Sequence, residues 1–147
     1  MPTNFHHAGL VAADRARAVK GVEYGLRLVR VYQKLVGGDP TRALVFLAAT
    51  NAASRNLGGE MIHARLDDEG YLMPEFRKPI SISALARSLD LPFETTRRHV
   101  IALCEDDFLQ RMPDGGVTST KGQSSKPRVQ AAVRNNLAYL DRLLRLG

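Results

Sequence analysis

The architecture of this chain turns on residues 79–120, PISISALARSLDLPFETTRRHVIALCEDDFLQRMPDGGVTST. Ile82, Leu85, Ala86 and Leu89 recur at i, i+3, i+4, i+7, the spacing that lines one face of a short helix. Asp90-Leu91-Pro92 interrupts that period, because proline disfavours helical geometry in the residue before it and is tolerated in a helix's first turn. A second helical period follows at Thr96, Val100 and Leu103 and is expected to run out near Asp107. Phe108 to Arg111, a Pro-Asp-Gly-Gly turn, and Val117 to Thr120 then carry the marks of two short strands joined by a tight turn. The stretch predicts two short helices, a sharp bend between them, and a hairpin.

Ser83-Ala-Leu-Ala-Arg-Ser-Leu89 followed by Leu91-Pro-Phe-Glu-Thr-Thr-Arg-Arg-His-Val100 resembles the helix-turn-helix core of bacterial winged-helix transcriptional regulators, over roughly 40 of the 147 residues. The resemblance implies that the second helix, about residues 93–106, is a recognition helix. In that geometry such a helix lies in the major groove of double-stranded DNA while the first crosses the backbone. With Thr96, Val100 and Leu103 facing inward, Glu94, Thr95, Arg97, Arg98 and Ile101 fall on or beside the outer face. Arg97 and Arg98 carry the DNA expectation, since a guanidinium contacts guanine O6 and N7 bidentately or grips phosphate. Thr95 suits a phosphate or a thymine methyl. Glu94 accepts from cytosine N4 or complements the positive end of the helix dipole. His99 has three open readings: phosphate contact, packing on the turn, or solvation. Phe93 either staples the helix start or lies against the sugar-phosphate backbone. Thr96 stands where such motifs usually carry an aliphatic residue; its methyl can pack and its hydroxyl can bond back to the preceding turn, which implies a small stability cost and not a lost function.

Ser81 is the expected N-cap of the first motif helix, with Ser83 the competing choice, and either can hold a phosphate at a helix N-terminus. Arg87 is a further phosphate candidate. The resemblance implies a basic wing residue, and Arg111 fills that part. The wing tip is Pro113-Asp114-Gly115-Gly116, acidic where the family pattern is basic, so deep wing insertion is not expected. Lys121 and Lys126 are alternative backbone contacts.

The remaining sequence supplies flanking helices. Gly9 to Val36 reads as one long helix with two neighbouring stripes, Val22, Leu26, Val29 and Tyr24, Leu28, Val31, Leu35, so it needs cover on more than one side. Gly37-Gly38 ends it, and Asp39-Pro40 starts a second helix, about 41–56, whose continuous apolar run Leu44–Ala49 predicts burial. Residues 57–78 read as a connector, with a short helix or strand around 61–66 left undecided. After a polar linker, Arg128 to Leu146 reads as a terminal helix striped by Val129, Val133, Leu137, Leu140 and Leu144 at heptad-like spacing. The fold class expected is mainly α with a small β-hairpin wing. Residues 1–78 form a helical core and dimerisation region, 79–120 the DNA-binding module, and 121–147 a dimerising helix. The flanking helices resemble those of MarR-type regulators, where terminal helices form the dimer.

Composition narrows the function classes. The chain has 147 residues, 44% of them hydrophobic, and a formal net charge of +6. Residues 1–76 carry 9 Lys/Arg against 8 Asp/Glu and residues 77–147 carry 12 against 7, so the excess falls on the half with the motif. That favours a polyanionic partner. No Trp is present and aromatics are 6%, which argues against a stacking platform for single strands. Cys104 is the one cysteine, so neither a disulfide nor a cysteine metal cluster is expected. His6, His7 and His63 lack companions at metal-ligand spacing. Gly37-Gly38 and Gly58-Gly59 lack the context of a phosphate loop, and no cofactor or enzymatic activity is expected. No run of about 18 apolar residues suggests a membrane span, and Asp14 with nearby basic residues is unlike a signal peptide, so a cytoplasmic protein is expected. The expectation is a homodimeric double-stranded-DNA-binding transcriptional regulator. The rivals are a winged-helix protein–protein interaction module and a sensor for a small-molecule effector.

Overall fold

The structure, a computed structural model, describes residues 9, 11–54, 66–68, 73, 77–120 and 126–145. His6, His7, His63, Lys121 and the segment at 61–65 lie outside these residues. The fold is mainly helical with a small two-stranded antiparallel sheet. In chain order it runs α1 (Ala12–Leu35), α2 (Pro40–Ser54), α3 (Ile82–Leu89), α4 (Phe93–Glu105), β1 (Leu109–Arg111), β2 (Val117–Ser119) and α5 (Pro127–Leu144).

The α1–α2 bend follows from its residues. Gly37 and Gly38 adopt φ of 103° and 99°, and the Gly38 N–H reaches back to the Gln33 carbonyl at 2.7 Å. That 6→1 closure is the Schellman end of a helix, which needs a left-handed residue. Asp39 then caps α2, its Oδ1 accepting from the N–H groups of Thr41 at 2.8 Å and Arg42 at 3.2 Å.

α2 is the centre of the molecule, packed against α1, α3, α4 and β2. Of the apolar run Leu44–Ala49, Val45, Phe46 and Ala49 are buried, Leu47 and Ala48 are half-buried and Leu44 is exposed, so one side of the helix faces out. Ala43, Ala52 and Ala53 extend the buried face along the helix. These small residues mark close packing; the Lys78 N–H bonds to the Ala53 carbonyl at 3.2 Å. Phe46 links the layers, with Tyr32 of α1 on one side at 6.1 Å between ring centroids and Phe108 edge-on at 5.5 Å on the other. One continuous core joins Tyr32, Phe46, Leu85, Val100, Leu103, Phe108, Val117 and Val129, crossing all three regions expected from the sequence.

α5 begins at Pro127, which takes the first helical position instead of ending the linker. It runs antiparallel to α1. The Tyr24 hydroxyl donates to Asn136 Oδ1 at 2.7 Å, and the Arg27 guanidinium lies 5.1 Å over the Tyr139 ring. The α1 face used here is the Tyr24, Leu28, Val31, Leu35 stripe, whereas the heptad-like α5 stripe is covered only in part, at Val129 and, half-buried, at Leu140. Val129 and Ala132 are buried, whereas Val133, Leu137 and Leu144 are 42%, 49% and 68% exposed. In the other α1 stripe Val22 and Leu26 are 63% and 64% exposed, and Val29 is half-buried.

Candidate nucleic-acid interface

The α3–α4 corner is built from local signals. Ser81, not Ser83, caps α3: its Oγ accepts from the Ala84 N–H at 3.1 Å, and Ser83 is exposed. Asp90 ends α3 in the left-handed region, φ 52°. Around it the Leu91 N–H bonds to Ala86 O at 3.0 Å and the Asp90 N–H to Arg87 O at 3.2 Å, a second Schellman closure. Pro92 is the residue just before α4 rather than its first turn, which starts at Phe93. The Pro92 carbonyl accepts both the Thr96 N–H at 3.1 Å and the Thr96 hydroxyl at 3.0 Å. Thr96 is fully buried, so that back-bond is what lets a hydroxyl occupy an interior position.

α4 turns Thr96, Val100 and Leu103 into the core. Glu94 and Arg98 are exposed, and Thr95, Arg97 and Ile101 are half-buried beside them. The two arginines differ in state. Arg97 is paired with Glu94 through Nε to Oε2 at 2.9 Å and a second contact from Nη2 to Oε1. That hydrogen bond, more than the charges of Arg97 and Arg98, holds the Glu94 carboxyl below its usual range, and it raises Arg97 in return. Such an exposed pair is weak and screened by salt, so an incoming phosphate can compete for Arg97. Arg98 has no hydrogen bond or ion pair among the described residues.

His99 packs inward. Its side chain is only 14% exposed, with Nε2 3.9 Å from Asp39 Oδ2 and Nδ1 3.5 Å from Arg42 Nε. Of the three readings open to it, packing is what the geometry shows, though against the start of α2 and not the turn before α4.

Between α3 and the start of α4 runs a groove of about 300 Å³ lined by Ser83, Ala86, Arg87, Asp90, Leu91 and Phe93. Three of the singled-out residues, Ser83, Arg87 and Phe93, thus meet in one place. Phe93 is 50% exposed at its edge.

The hairpin pairs Leu109 with Ser119, Gln110 with Thr118, and Arg111 with Val117. Val117 also bridges Ile80, just before α3, through N–H···O bonds of 3.0 and 2.8 Å. Arg111 is exposed on β1. Asp114 at the tip closes the turn: its Oδ1 accepts from the Gly116 N–H at 2.9 Å, an Asx-type arrangement. Cys104, half-buried on α4, has its thiol pushed up by burial, the reverse of what activates a nucleophile. Among the described residues no three His, Cys, Asp or Glu side chains gather as a metal-binding group.

No protein-family model matches the chain, and neither does any curated protein or solved structure.

Arg42 and Arg77 were not legible as contributors. Arg42 meets His99 across 57 positions of sequence, and Arg77 Nη1 donates to the Ser119 carbonyl at 3.0 Å, tying the connector to the end of β2. Both contacts are tertiary, and no local pattern announces them.

Proposed function

We propose that this protein is a double-stranded-DNA-binding transcriptional regulator of the winged helix-turn-helix type, acting in the cytoplasm as a homodimer. The observation that carries the reading is the α3–α4 groove. It gathers Ser83, Arg87 and Phe93 beside the outer face of α4 that bears Thr95 and Arg98. A phosphate strand along the groove would meet Arg87 and Ser83, and α4 would enter the major groove with Arg98, Thr95 and, once released from Glu94, Arg97. The hairpin's bridge to Ile80 at the entrance of α3 supports the winged reading, because it sets the hairpin beside the helix pair. The exposed apolar stripes of α1 and α5 support a second copy, which would place two α4 helices on half-sites about one DNA turn, roughly 34–36 Å, apart.

One observation favours the rival interaction-module reading. Glu94 and Glu105 are exposed on the same helix as Arg97 and Arg98, so α4 itself is not strongly cationic, and an exposed Phe93 also suits a protein partner. Arg87→Ala combined with Arg98→Ala separates the two. The DNA reading expects the double variant to lose affinity for genomic duplex fragments and to show a shallower salt dependence, by about 2 in the log–log slope if both side chains neutralise phosphates. Retention of parental affinity and slope, measured by fluorescence anisotropy across a salt series, would sink it.

A further inference from the structure

α4 carries its two arginines in different states, and the paired one, Arg97, still has donors to offer. A guanidinium presents its N–H groups on two usable edges, Nε with one Nη, and the two Nη together. Glu94 occupies the first edge only, its Oε2 accepting from Nε at 2.9 Å and its Oε1 from Nη2. Nη1 has no hydrogen bond among the described residues, so the Nη1–Nη2 edge stays whole. Its two parallel N–H groups match the O6 and N7 acceptors that guanine presents in the major groove. A phosphate has to take Arg97 from Glu94, whereas a base edge can be met with the pair closed.

The place on the helix suits that use. Glu94 lies in the first turn of α4 and Arg97 three residues on, at the end from which a recognition helix reaches base edges. Both side chains are partly open to solvent. A long side chain loses rotamer freedom when a ligand orders it, and one already held flat by two hydrogen bonds has less to lose. The carboxylate beside it is repelled by backbone phosphates, so the pair disfavours non-specific contact with the strand.

We propose that Arg97 reads a guanine through its Nη1–Nη2 edge while Glu94 holds the guanidinium in place. Glu94 is then a positioning residue that sets sequence selectivity without touching a base. The inference rests on the DNA-binding reading above and names what α4 selects.

Duplex selected by the full chain from a random pool provides the test, read by fluorescence anisotropy with guanine or 7-deazaguanine at each guanine position in turn. In the parent, one position is expected to lose roughly fivefold or more on removal of N7, the lower end of what a bidentate base contact is worth. Glu94→Gln keeps one acceptor but not the paired fork. It should remove most of that difference at that position alone. Its affinity for a random-sequence duplex should rise, with a log–log salt slope steeper by up to about 1 as Arg97 turns to phosphate. Arg97→Lys keeps the charge without the fork and should lose the same difference. Circular-dichroism melting checks that each variant folds; should Glu94→Gln not fold, Glu94→Asp, too short to span both nitrogens, takes its place. A parent indifferent to 7-deazaguanine at every position, or a Glu94→Gln variant with the parent's discrimination, overturns the proposal. So does a uniform loss across all duplexes, which is a structural effect. A loss at a cytosine whose N4-methylation also weakens the parent overturns it too, because Glu94 is then itself the base contact. In each of these outcomes sequence-selective binding persists and the DNA reading stands; a parent that selects no sequence from the pool sinks both.

Discussion

Asp90 and Asp107 occupy equivalent places at the ends of α3 and α4, both left-handed with φ of 52° and 62°. After α4 the Phe108 N–H bonds to Leu103 O at 2.8 Å and the Asp107 N–H to Cys104 O at 3.1 Å, repeating the closure at Asp90. Glycine is the usual residue there, and aspartate is tolerated because its side chain is short and polar. A β-branched residue is not. Asp90→Val is therefore expected to lower stability by about 1–2 kcal/mol in urea unfolding, while Asp90→Gly should leave it unchanged or raise it. Equal stability of the Val and Gly variants would mean the corner relaxes. Cys104 gives a pH-dependent expectation. Its thiol pKa is raised by burial, so at any pH below that value the thiolate fraction is smaller than in an exposed cysteine. Iodoacetamide should alkylate native Cys104 more slowly than the urea-unfolded chain at pH 8, and the native rate should keep climbing above the pH at which the unfolded rate levels off. Matching pH profiles would show a thiol as open as in the unfolded chain.

At the scale of elements, the hairpin depends on one close approach. A Cβ added to Gly116 would stand 2.8 Å from the Pro79 Cβ and 3.2 Å from Asp114 Oδ1. The proline ring cannot swing aside as a flexible side chain would. Gly116→Ala is expected to cost about 1–3 kcal/mol, in the range of overpacking, whereas the same change at Gly115 would instead strain its φ of 89°. A Gly116→Ala variant melting with the parent would count against the packing of Pro79 on this turn. The helix pair and hairpin were legible because their signals are local: i, i+3, i+4 spacing, a serine cap, a proline bend, a Gly-Gly turn. The groove at Ser83, Arg87 and Phe93 was legible only in its parts, since the bend that joins them rests on a left-handed Asp90 that no glycine advertised. The inner face of α5 was legible only at Val129. Ala132, Asn136 and Tyr139 meet α1, and beside them the larger apolar residues Val133, Leu137 and Leu144 form a more conspicuous stripe that stays in solvent. Periodicity marks where the apolar residues are, and it does not say which face the tertiary fold uses.

For the molecule as a whole, those exposed stripes set the next test. Val22 and Leu26 on α1 and Val133, Leu137 and Leu144 on α5 leave large aliphatic surface in water, which burial would stabilise at about 25 cal/mol per Å². In the proposed dimer, Leu26→Glu together with Leu137→Glu should give a monomer in multi-angle light scattering while helical content is kept, because neither side chain belongs to the core. A parent already monomeric at micromolar concentration, or a double variant still dimeric, places the interface elsewhere. The charge distribution acts at this scale too. In the proposed DNA complex, with the acids of α4 offsetting its arginines, the basic excess of residues 77–147 would act from several elements at once, not from one helix.

The hydrogen bond between Tyr24 and Asn136 joins positions 112 residues apart, and that separation has a consequence during synthesis. At about 5–20 residues per second, α1 waits roughly 6–20 s on the ribosome before the helix that covers it has been made. Over that interval α2 to β2 can already close around Phe46, while the tyrosine and aliphatic face of α1 remains bare. The nascent chain therefore offers a hydrophobic helix to a chaperone, or to a neighbouring nascent copy, before its own partner arrives.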